Sequence, residues 1–433
     1  MLDINYIRAN RQKVEDAIRN KVYEIDLDEV LRLDDARKDL SREIDALRQE
    51  RNQISAKMKG GKPDQELIEQ GKELKAKLAE KEPKLAKIEQ DFITELKRIP
   101  NVYEDDVPIG HTEDDNQVAE VVGTPPKIKN PKNHAEIAEA RGWLDKERAA
   151  KVAGARFAYI KGDMVKLQMA IVNFVMNSLT DEKIIKDIIK KAGLEGKISE
   201  KPFTIVLPPL MLRTDIYDAM DRLEPREDRY KIEGQELWLQ GSAEHVLGSM
   251  HANEIIEEKE LPIRYLGYAT SFREEAGTYG KDMEGIFRVH QFDKLEMESL
   301  STKETSRAEH EFFIAVQRWL VEQLELPYRV IRKCTFDIGK PDARGIDIEV
   351  WLPGQDKYRE THTADYMTDY QARRLQTRVR RDNGDLELVH TNDATAFALG
   401  RIMIAIIENY QNPDMSVRVP KVLQKYLDGK ERI

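Results

Sequence analysis

The sequence contains a single cysteine, Cys334, and no long hydrophobic run. One thiol can form neither an internal disulfide nor a cysteine-rich zinc site. The longest apolar stretches, Met169–Met176 and Ile402–Ile407, are far too short to span a bilayer. The first residues also lack the basic and apolar segments of a secretory signal. These absences predict a cytoplasmic protein that carries no zinc and does not enter a membrane.

Two common nucleotide-binding loops are missing as well. The sequence has neither a Gly-Lys-Ser/Thr phosphate loop nor a Gly-x-Gly-x-x-Gly dinucleotide turn. His310-Glu311 begins like a zinc-protease motif, but Ile314 stands where the second histidine would be. If this protein uses ATP, it must therefore bind the nucleotide through another architecture.

An excess of acidic residues argues against general nucleic-acid binding. The 433 residues include 80 Asp and Glu against 70 Lys and Arg, which gives a net charge of -10. A general nucleic-acid binder usually has a basic domain, although an acidic protein can still bind RNA through local basic surfaces. The charge alone favours a metabolic enzyme. The length, with 40% hydrophobic residues, predicts two or three cores.

The first hundred residues carry the pattern of two long helices with narrow apolar stripes. In the first helix, apolar residues recur every seven positions at Leu33, Leu40, Leu47 and Ile54. In the second, they follow at spacings of three and four at Leu74, Leu78, Leu85, Ile88 and Phe92. Gly60-Gly61-Lys62-Pro63 separates the two helices, and Pro83 predicts an irregularity in the second. We expect an antiparallel hairpin. It is either a packing coiled coil or a rigid arm for a large ligand.

The remaining sequence mixes helical and strand patterns after an acidic, Pro- and Gly-punctuated segment at Asn101–Thr124. Strands are predicted at Phe203–Leu207, Leu237–Leu239, Arg264–Thr270, Ile286–Gln291, Arg329–Lys333 and Ile346–Trp351. Helices are predicted at Met164–Leu179, Thr302–Leu324 and Ala396–Tyr410. Because strands and helices do not alternate strictly, the pattern favours an antiparallel α+β sheet over a doubly wound one.

A charged hairpin pattern carries the most chemical information. Ser271–Gly277 leads through Gly280-Lys281-Asp282 to Arg288–Phe292. An arginine at the end of one strand can clamp a phosphate, and an aromatic ring on the return strand can stack on a purine. Without further context, such a hairpin is more often a solvated turn.

The order of the motifs supplies that context. Ser271–Gly277 and Arg288–Glu296 resemble motif 2 of class II aminoacyl-tRNA synthetases in the form typical of the seryl-tRNA synthetase family. Gly400-Arg401 with Ile407–Gln411 resembles motif 3, and Phe203–Pro209 is similar to motif 1. Further matches run through Tyr358–Glu360, Thr368–Arg374, Ile99–Asn101 and Val107–Gly110. The sequence is therefore similar to this family over nearly its whole length.

The resemblance implies both a fold and a reaction. We expect a tRNA-binding helical arm at residues 1–108, a linker at 109–140, and a class II catalytic domain at 141–433, built on an antiparallel sheet flanked by helices. The implied enzyme is a homodimeric serine–tRNA ligase. It activates L-serine with ATP and Mg²⁺, then transfers it to tRNA(Ser), and tRNA(Sec) is left open as a second acceptor. In class II relatives for threonine, proline and histidine, another domain usually follows motif 3.

The resemblance also assigns roles to matching residues. Arg273 is expected on the α-phosphate, Arg401 on the γ-phosphate, and Phe292 against the base. The complete implied ATP set is Arg273, Glu274, Glu275, Val289, Phe292, Glu360, Thr361, His362, Thr363 and Arg401, with Glu360 and Thr363 coordinating Mg²⁺. The implied serine-binding residues are Ser242, Ala243, Glu244, Arg273, Glu296 and Thr395. The implied catalytic residues are Arg273, Glu275 and Arg401.

Departures from the family pattern concentrate at the amino-acid site. Ser242 and Thr363 exchange one hydroxyl residue for another, whereas Asp393 replaces an amide and Thr395 adds a methyl group. Leu179–Lys201 is interpreted as an insertion. Two alternatives to a serine–tRNA ligase follow. One is a paralogue that loads a small amino acid onto another carrier, and the other is a non-catalytic RNA-binding or scaffold protein.

Overall fold

The computed structural model describes residues 1–58, 65–276 and 285–433. The chain divides into two compact units, Met1–Val102 and Tyr103–Ile433. The predicted break at Gly60–Pro63 and the predicted turn at Gly280–Asp282 lie outside the described residues. Within the described ranges, no helix is long and apolar enough to cross a membrane.

The first unit contains the predicted helical hairpin. Its described helices are α1 (Ile4–Ala9), α2 (Arg11–Asn20), α3 (Leu27–Met58) and α4 (Gln65–Arg98). Contacts between α3 and α4 run in opposite directions along the two helices. They pair Arg37 with Phe92, Arg48 with Glu82, and Met58 with Gly71. The antiparallel hairpin is therefore confirmed, and α4 continues through Pro83.

Narrow apolar stripes hold the hairpin together, as the spacing predicts. Ile44 and Ile54 of α3 and Leu74 and Leu78 of α4 are buried, while most other positions are exposed. At the base of α3, the buried carboxylate of Asp34 contacts three cations. Arg8 lies 2.8 Å away, Arg37 2.7 Å and Lys38 2.6 Å. A buried charge needs such partners, because it has lost its water.

The second unit is an α+β structure, as expected. Its described helices are α5 (His134–Ala140), α6 (Lys146–Ala153), α7 (Asp163–Leu179), α8 (Glu182–Lys191), α9 (Thr214–Ala219), α10 (Glu244–Leu247), α11 (Ser306–Gln323), α12 (Tyr370–Leu375), α13 (Leu399–Asn409) and α14 (Lys421–Gln424). The largest buried apolar cluster packs α7, α11 and α13 against the sheet. Helix α8 falls within the predicted insertion and packs its isoleucines into the same cluster.

The strands of the described residues define one large sheet and three small ones. They are β1 (Gln117–Val122), β2 (Leu144–Asp145), β3 (Tyr159–Ile160), β4 (Thr204–Val206), β5 (Met211–Arg213), β6 (Leu237–Leu239), β7 (Ile255–Glu257), β8 (Ile263–Phe272), β9 (Gln291–Ser301), β10 (Tyr328–Arg332), β11 (Arg344–Leu352), β12 (Lys357–Thr368), β13 (Arg378–Arg380), β14 (Leu386–Leu388) and β15 (His390–Ala398). The large sheet has the order β1-β10-β11-β12-β15-β9-β8-β4. Its described neighbours pair antiparallel, except that β4 and β8 are parallel.

Two features of the sheet differ from the sequence predictions. The strand predicted at Ile286–Gln291 is wrong, because β9 begins only at Gln291. The backbone N–H of Ile286 donates to a histidine side chain and that of His290 to the carbonyl of Arg156, so residues 286–290 join no strand ladder. The central strands β12 and β15 were not predicted from the sequence. Strand β15 is polar in sequence yet almost wholly buried.

Candidate active site

A cavity in the second unit is lined by charged and aromatic side chains. Its volume is about 220 Å³. The walls come from the end of β8, from β9, β12 and β15, and from the start of α13. The lining residues are Arg222, Glu244, Arg273, Glu275, Ile286, Phe287, Arg288, Val289, Phe292, Lys294, Glu360, Thr361, Thr363, Asp365, Thr395, Ala398, Gly400 and Arg401.

Arg273 follows directly after β8 and is fixed by its surroundings. Its Nε donates to the carbonyl of Gly241 at 3.0 Å, and its backbone N–H donates to the carbonyl of His290 at 3.0 Å. The guanidinium carbon lies 5.4 Å from the ring centre of Phe292. A guanidinium held in this way presents a planar set of donors that suits a phosphate.

An ion pair joins the two described ends of the charged hairpin. Oε2 of Glu275 lies 2.5 Å from Nη1 of Arg288. Glu275 has a φ of 52°, a left-handed conformation that is uncommon for a residue other than glycine. Such conformations persist where the surrounding structure holds them, and they concentrate at functional sites.

His134 fixes the backbone just before the aromatic wall of the cavity. The N–H of Ile286 donates to His134 Nε2 at 3.3 Å, so Nδ1 carries the proton and donates to Glu408 Oε1 at 3.0 Å. Gly285 has a φ of 61°, and a Cβ there would lie 1.8 Å from His134 Nε2. Glycine is therefore required at this position. The hydrogen bond between Ile286 and His134 fixes the position of the next residue, Phe287, which lines the cavity.

Arg401 lies at the start of α13 and contacts both an acid and an aromatic ring. Its Nη1 donates to Oε1 of Glu360 at 2.9 Å and to the Glu360 carbonyl at 3.0 Å. Its guanidinium carbon lies 4.8 Å from the centre of the Phe287 ring. Desolvation acts to raise the pKa of Glu360, but the charges of Arg401, Lys333, Arg273 and Lys294 together outweigh it and lower the pKa.

The other end of the cavity contains a chain of polar contacts around Glu244. Lys294 Nζ donates to Ser242 Oγ at 3.1 Å, and Ser242 Oγ donates to Glu244 Oε2 at 3.2 Å. Lys294 also forms an ion pair with Glu296. Glu244 and Lys294 line the cavity. Ser242 and Glu296 are buried and lie outside its lining.

The two glutamates at this end have opposite pKa shifts. Burial acts to raise the pKa of Glu244, but Arg222, His245 and Lys294 hold it well below its usual range. Burial also raises the pKa of Glu296. Lys294 offsets this effect only in part, so the pKa of Glu296 is about 7. Glu244 is therefore a carboxylate at neutral pH, whereas Glu296 exchanges a proton near neutrality.

The structure brings most of the predicted site residues together. Those that line the cavity are Glu244, Arg273, Glu275, Val289, Phe292, Glu360, Thr361, Thr363, Thr395 and Arg401. Those that lie outside its lining are Ser242, Ala243, Glu274, Glu296 and His362. Of the second group, Ser242 and Glu296 contact the lining residue Lys294. His362 instead packs its ring 5.1 Å from that of Phe397, within the core.

The cavity also contains residues to which the sequence assigned no role. Arg222, Phe287, Lys294 and Asp365 are the clearest cases. Lys294 could have been predicted, because it alternates with Phe292 and Glu296 along a strand and therefore shares their face of the sheet. Arg222 was not, because it lies in a loop that gives no periodic signal. Only the folded chain places it beside Glu244.

The two ends of the cavity suit different chemical groups. Arg273 and Arg401, with the rings of Phe287 and Phe292, can hold a polyphosphate and a flat base. The carboxylate of Glu244 and the hydroxyl of Thr395 can hold an ammonium group and a small polar side chain. Such a cavity can align a small carboxylate with an activated phosphate, so positioning and charge stabilisation supply the catalysis.

Comparison with known proteins identifies the class to which this fold and site belong. Residues 228–410 match the class II core domain of tRNA synthetases for G, H, P, S and T. This range includes all the cavity-lining residues except Arg222. The second unit thus contains a class II aminoacyl-tRNA synthetase core.

Two further matches define the family within that class. Residues 1–103 match the seryl-tRNA synthetase N-terminal domain. The serine–tRNA ligase of Borrelia garinii is 38% identical over 98% of both chains. The chain belongs to the seryl-tRNA synthetase family, and the predicted family and fold class are confirmed.

Solved structures agree over the full length. The seryl-tRNA synthetase of Pyrococcus horikoshii, complexed with ATP, has a TM-score of 0.88 at 37% identity and covers 100% of this chain and 99% of its own. The cytoplasmic enzyme of Naegleria fowleri, in complex with AMP, has a TM-score of 0.84 at 27% identity, with 100% of this chain and 98% of its own covered.

Proposed function

We propose that this protein is a serine–tRNA ligase that forms seryl-adenylate from L-serine and ATP. The observation that carries the proposal is the cavity itself. It combines two fixed arginines at one end with an ionised glutamate and a threonine hydroxyl at the other. The family relationship covers both ends, and ATP and AMP are the ligands named for the similar solved enzymes.

The arginine-rich end binds ATP in this proposal. Arg273 contacts the α-phosphate, Arg401 contacts the γ-phosphate, and the adenine stacks on Phe292. Glu275 and Val289 lie beside the base, with Glu274 close in sequence. The serine carboxylate attacks the α-phosphorus, and pyrophosphate leaves from the opposite side. The two arginines stabilise the negative charge that spreads over the phosphate oxygens.

Mg²⁺ is the metal proposed to accompany ATP. Glu360 and Thr363 line the cavity on β12, and Asp347 of β11 lies opposite Thr363 in the strand register. These groups offer oxygen atoms alone, which is the donor set that Mg²⁺ prefers. When bound, the ion neutralises phosphate charge. Thr361 borders the same wall, whereas His362 supports it from the core.

The glutamate-rich end binds serine. Glu244 accepts from the ammonium group, Thr395 contacts the hydroxyl, and Arg273 contacts the carboxylate that attacks ATP. Ser242, Ala243 and Glu296 are buried outside the cavity lining. Ser242 supports the wall through its hydrogen bonds with Glu244 and Lys294, and Glu296 through its ion pair with Lys294. A hydroxyl of the terminal adenosine of tRNA(Ser) then attacks the seryl carbonyl, and AMP leaves.

The proposal extends to the partners of the enzyme. The helical hairpin binds the tRNA, for which shape and backbone contacts are the usual means of recognition. The protein forms a homodimer through the edge of the large sheet, where β4 and the following segment expose four apolar side chains. These are Ile205, Leu207, Leu210 and Met211, with Leu207 76% exposed. The division into arm, linker and catalytic domain, and the cytoplasmic location, are retained as part of the proposal.

A second candidate function has one specific observation in its favour. Asp393 and Thr395 both lie on β15 beside the proposed serine site, and both depart from the pattern of the family. A paralogue that activates another small amino acid, for a carrier other than tRNA, would account for these changes. The complete helical arm favours the tRNA ligase.

The deciding experiment is amino-acid-dependent ATP–pyrophosphate exchange with serine, threonine, alanine and glycine, run beside tRNA charging. We expect exchange and charging with serine alone. Exchange with another amino acid would contradict the serine assignment, and exchange without charging would favour the second candidate. An Arg273→Ala variant should lose exchange by about 10³-fold. The matched control is Arg418→Ala, because Arg418 is exposed and contacts Tyr410 away from the cavity.

A further inference from the structure

Arg222 is the cavity residue that lies outside the matched class II core, and its contacts are unusual. Its Nε lies 3.1 Å from Glu244 Oε1, and its Nη2 lies 3.2 Å from Asp342 Oδ1 and 3.4 Å from Asp393 Oδ2. The Arg222 side chain is only 15% exposed. One guanidinium is thus shared by three carboxyl groups, two of which are almost wholly buried.

The sheet beneath Arg222 explains why a cation is needed there. Glu298, Asp393 and Asp365 lie directly opposite one another on the neighbouring strands β9, β15 and β12. Acidic side chains in such a row destabilise a sheet, because their Cβ atoms are only about 5 Å apart. Arg222 lies over the middle member of this row and supplies the opposite charge.

The backbone of Arg222 is itself held in place. Its carbonyl accepts from Nε of Arg229 at 3.1 Å. The preceding residue, Asp221, has a φ of 59° and lies 2.7 Å from both Arg374 and Lys340. A guanidinium anchored at its backbone and at Asp342 can hold the Glu244 carboxylate in one position.

We propose that Arg222 is a positioning residue for the amino-acid end of the cavity, where it orients Glu244 toward the ammonium group of the amino-acid substrate. The inference rests on the proposed adenylate-forming function and deepens it. Arg222 forms an ion pair with Oε1 of Glu244, and Ser242 Oγ donates a hydrogen bond to Oε2, so each carboxylate oxygen has a neighbour that restrains it. Without Arg222, the carboxylate turns or takes up a proton, and the ammonium group loses its acceptor.

The position of Arg222 predicts which kinetic constant will change. Arg222 contacts none of Arg401, Glu360 and Phe292 through an ion pair or hydrogen bond found in the described chain. Its removal should therefore weaken amino-acid binding and leave ATP binding almost unaffected. A residue that merely stabilises the fold would change both constants together.

The test is serine-dependent ATP–pyrophosphate exchange with the full chain, measured with either substrate varied. In Arg222→Met, we expect the KM for serine to rise by at least about tenfold, while the KM for ATP stays within about twofold. Arg222→Lys keeps the positive charge but lacks the planar guanidinium with its several donors. It should therefore recover part of the affinity for serine. The matched control is Arg226→Met, because Arg226 lies in the same segment but is exposed and pairs with Glu224.

A second variant keeps the test decisive if Arg222→Met does not fold. Asp342 is buried outside the cavity lining and anchors the far side of Arg222, so Asp342→Asn should raise the KM for serine selectively, by a smaller factor. Equal changes in both KM values, or an unchanged KM for serine, in the folded variants would overturn the inference. Absence of serine exchange in the unmodified protein would instead overturn the proposed function.

Discussion

Asp34 in the arm and Glu296 in the catalytic unit are both fully buried carboxyl groups, yet their pKa values shift in opposite directions. Burial acts to raise the pKa of Asp34, but hydrogen bonds from Arg37, Lys38 and Arg8 lower it to about 2. Burial and the nearby Glu244 raise the pKa of Glu296 to about 7, because the cation that it contacts in the described chain, Lys294, offsets them only in part. The number of cations that a buried acid contacts thus separates the two cases.

The difference indicates what each region is built for. In the arm, the buried charge of Asp34 is neutralised within the fold, as a structural element requires. Around Glu296 in the catalytic unit, the effect of burial outweighs the compensation from Lys294, and this is a condition that a cationic ligand group relieves. Burial alone does not mark a functional site, but burial without enough partners does.

The largest expected effect is on catalysis at Glu296. Glu296→Gln should lower serine-dependent pyrophosphate exchange by about 10²-fold, because Lys294 and Glu244 lose the group that arranges them. Asp34→Asn should leave exchange within about twofold, since exchange does not need the arm. Comparable losses in the two variants would remove the distinction between the regions.

Asp34→Asn should instead reduce stability. Because its folded pKa lies below the ordinary value, the Asp34 carboxylate stabilises the fold above about pH 4, and this contribution disappears as the pH falls toward 2. We expect a loss of about 2 kcal/mol at pH 7. Hydrogen exchange of α1 to α3 in the full chain, compared at pH 7 and pH 3, measures it. An equal loss at both values would contradict the ionic explanation.

Glu296→Gln should change stability with the opposite sign. A raised folded pKa means that Glu296 favours the folded state below about pH 4.5, and that this advantage is lost as the pH rises to about 7. The variant cannot ionise, so it should be more stable than the unmodified protein by about 1–2 kcal/mol at pH 8, and equal at pH 4. Thermal unfolding at the two pH values provides the measurement. A variant that is less stable at pH 8 would contradict the raised pKa.

The smallest expected effect concerns the surface of the arm. Arg51 is exposed on α3, and no ion pair to it is found among the described residues. Arg51→Glu should lower kcat/KM for tRNA by about threefold to tenfold, more at low salt, while exchange stays unchanged. Charging assays at two salt concentrations measure this. An unchanged kcat/KM would place the RNA contact elsewhere on the arm.

The sequence predicted regular elements well and the interior of the site poorly. Helices α7 and α11 and strands such as β11 follow from periodicity, because their apolar residues recur on one face, whereas α13 follows from a continuous apolar run that is buried on all sides. Strand β15 did not, because its buried positions include Thr391, Asn392 and Asp393. Polar residues in a strand are normally exposed, so neither their burial nor their partners can be deduced from local pattern.

The site residues divide in a similar way. Arg273, Phe292 and Arg401 were predicted through family motifs, and all three line the cavity. Glu296 was expected in the lining and is buried outside it, since alternation along a strand fixes a side chain's face but not its depth. His362 stands between the lining residues Thr361 and Thr363 but packs against Phe397 in the core. Arg222 was missed because its role depends on three distant carboxyl groups.

The contact between His134 and Ile286 bears on how far this enzyme can be reduced in size. The carboxylate of Glu408 accepts from the backbone and ring of His134 and from the N–H of Gly354, so three distant stretches of chain meet at one side chain. An excised fragment of residues 228–410 would keep Glu408 and Ile286 but lose His134. The catalytic module of this protein is therefore longer than the conserved core by which it is recognised, and a minimal version must begin before His134.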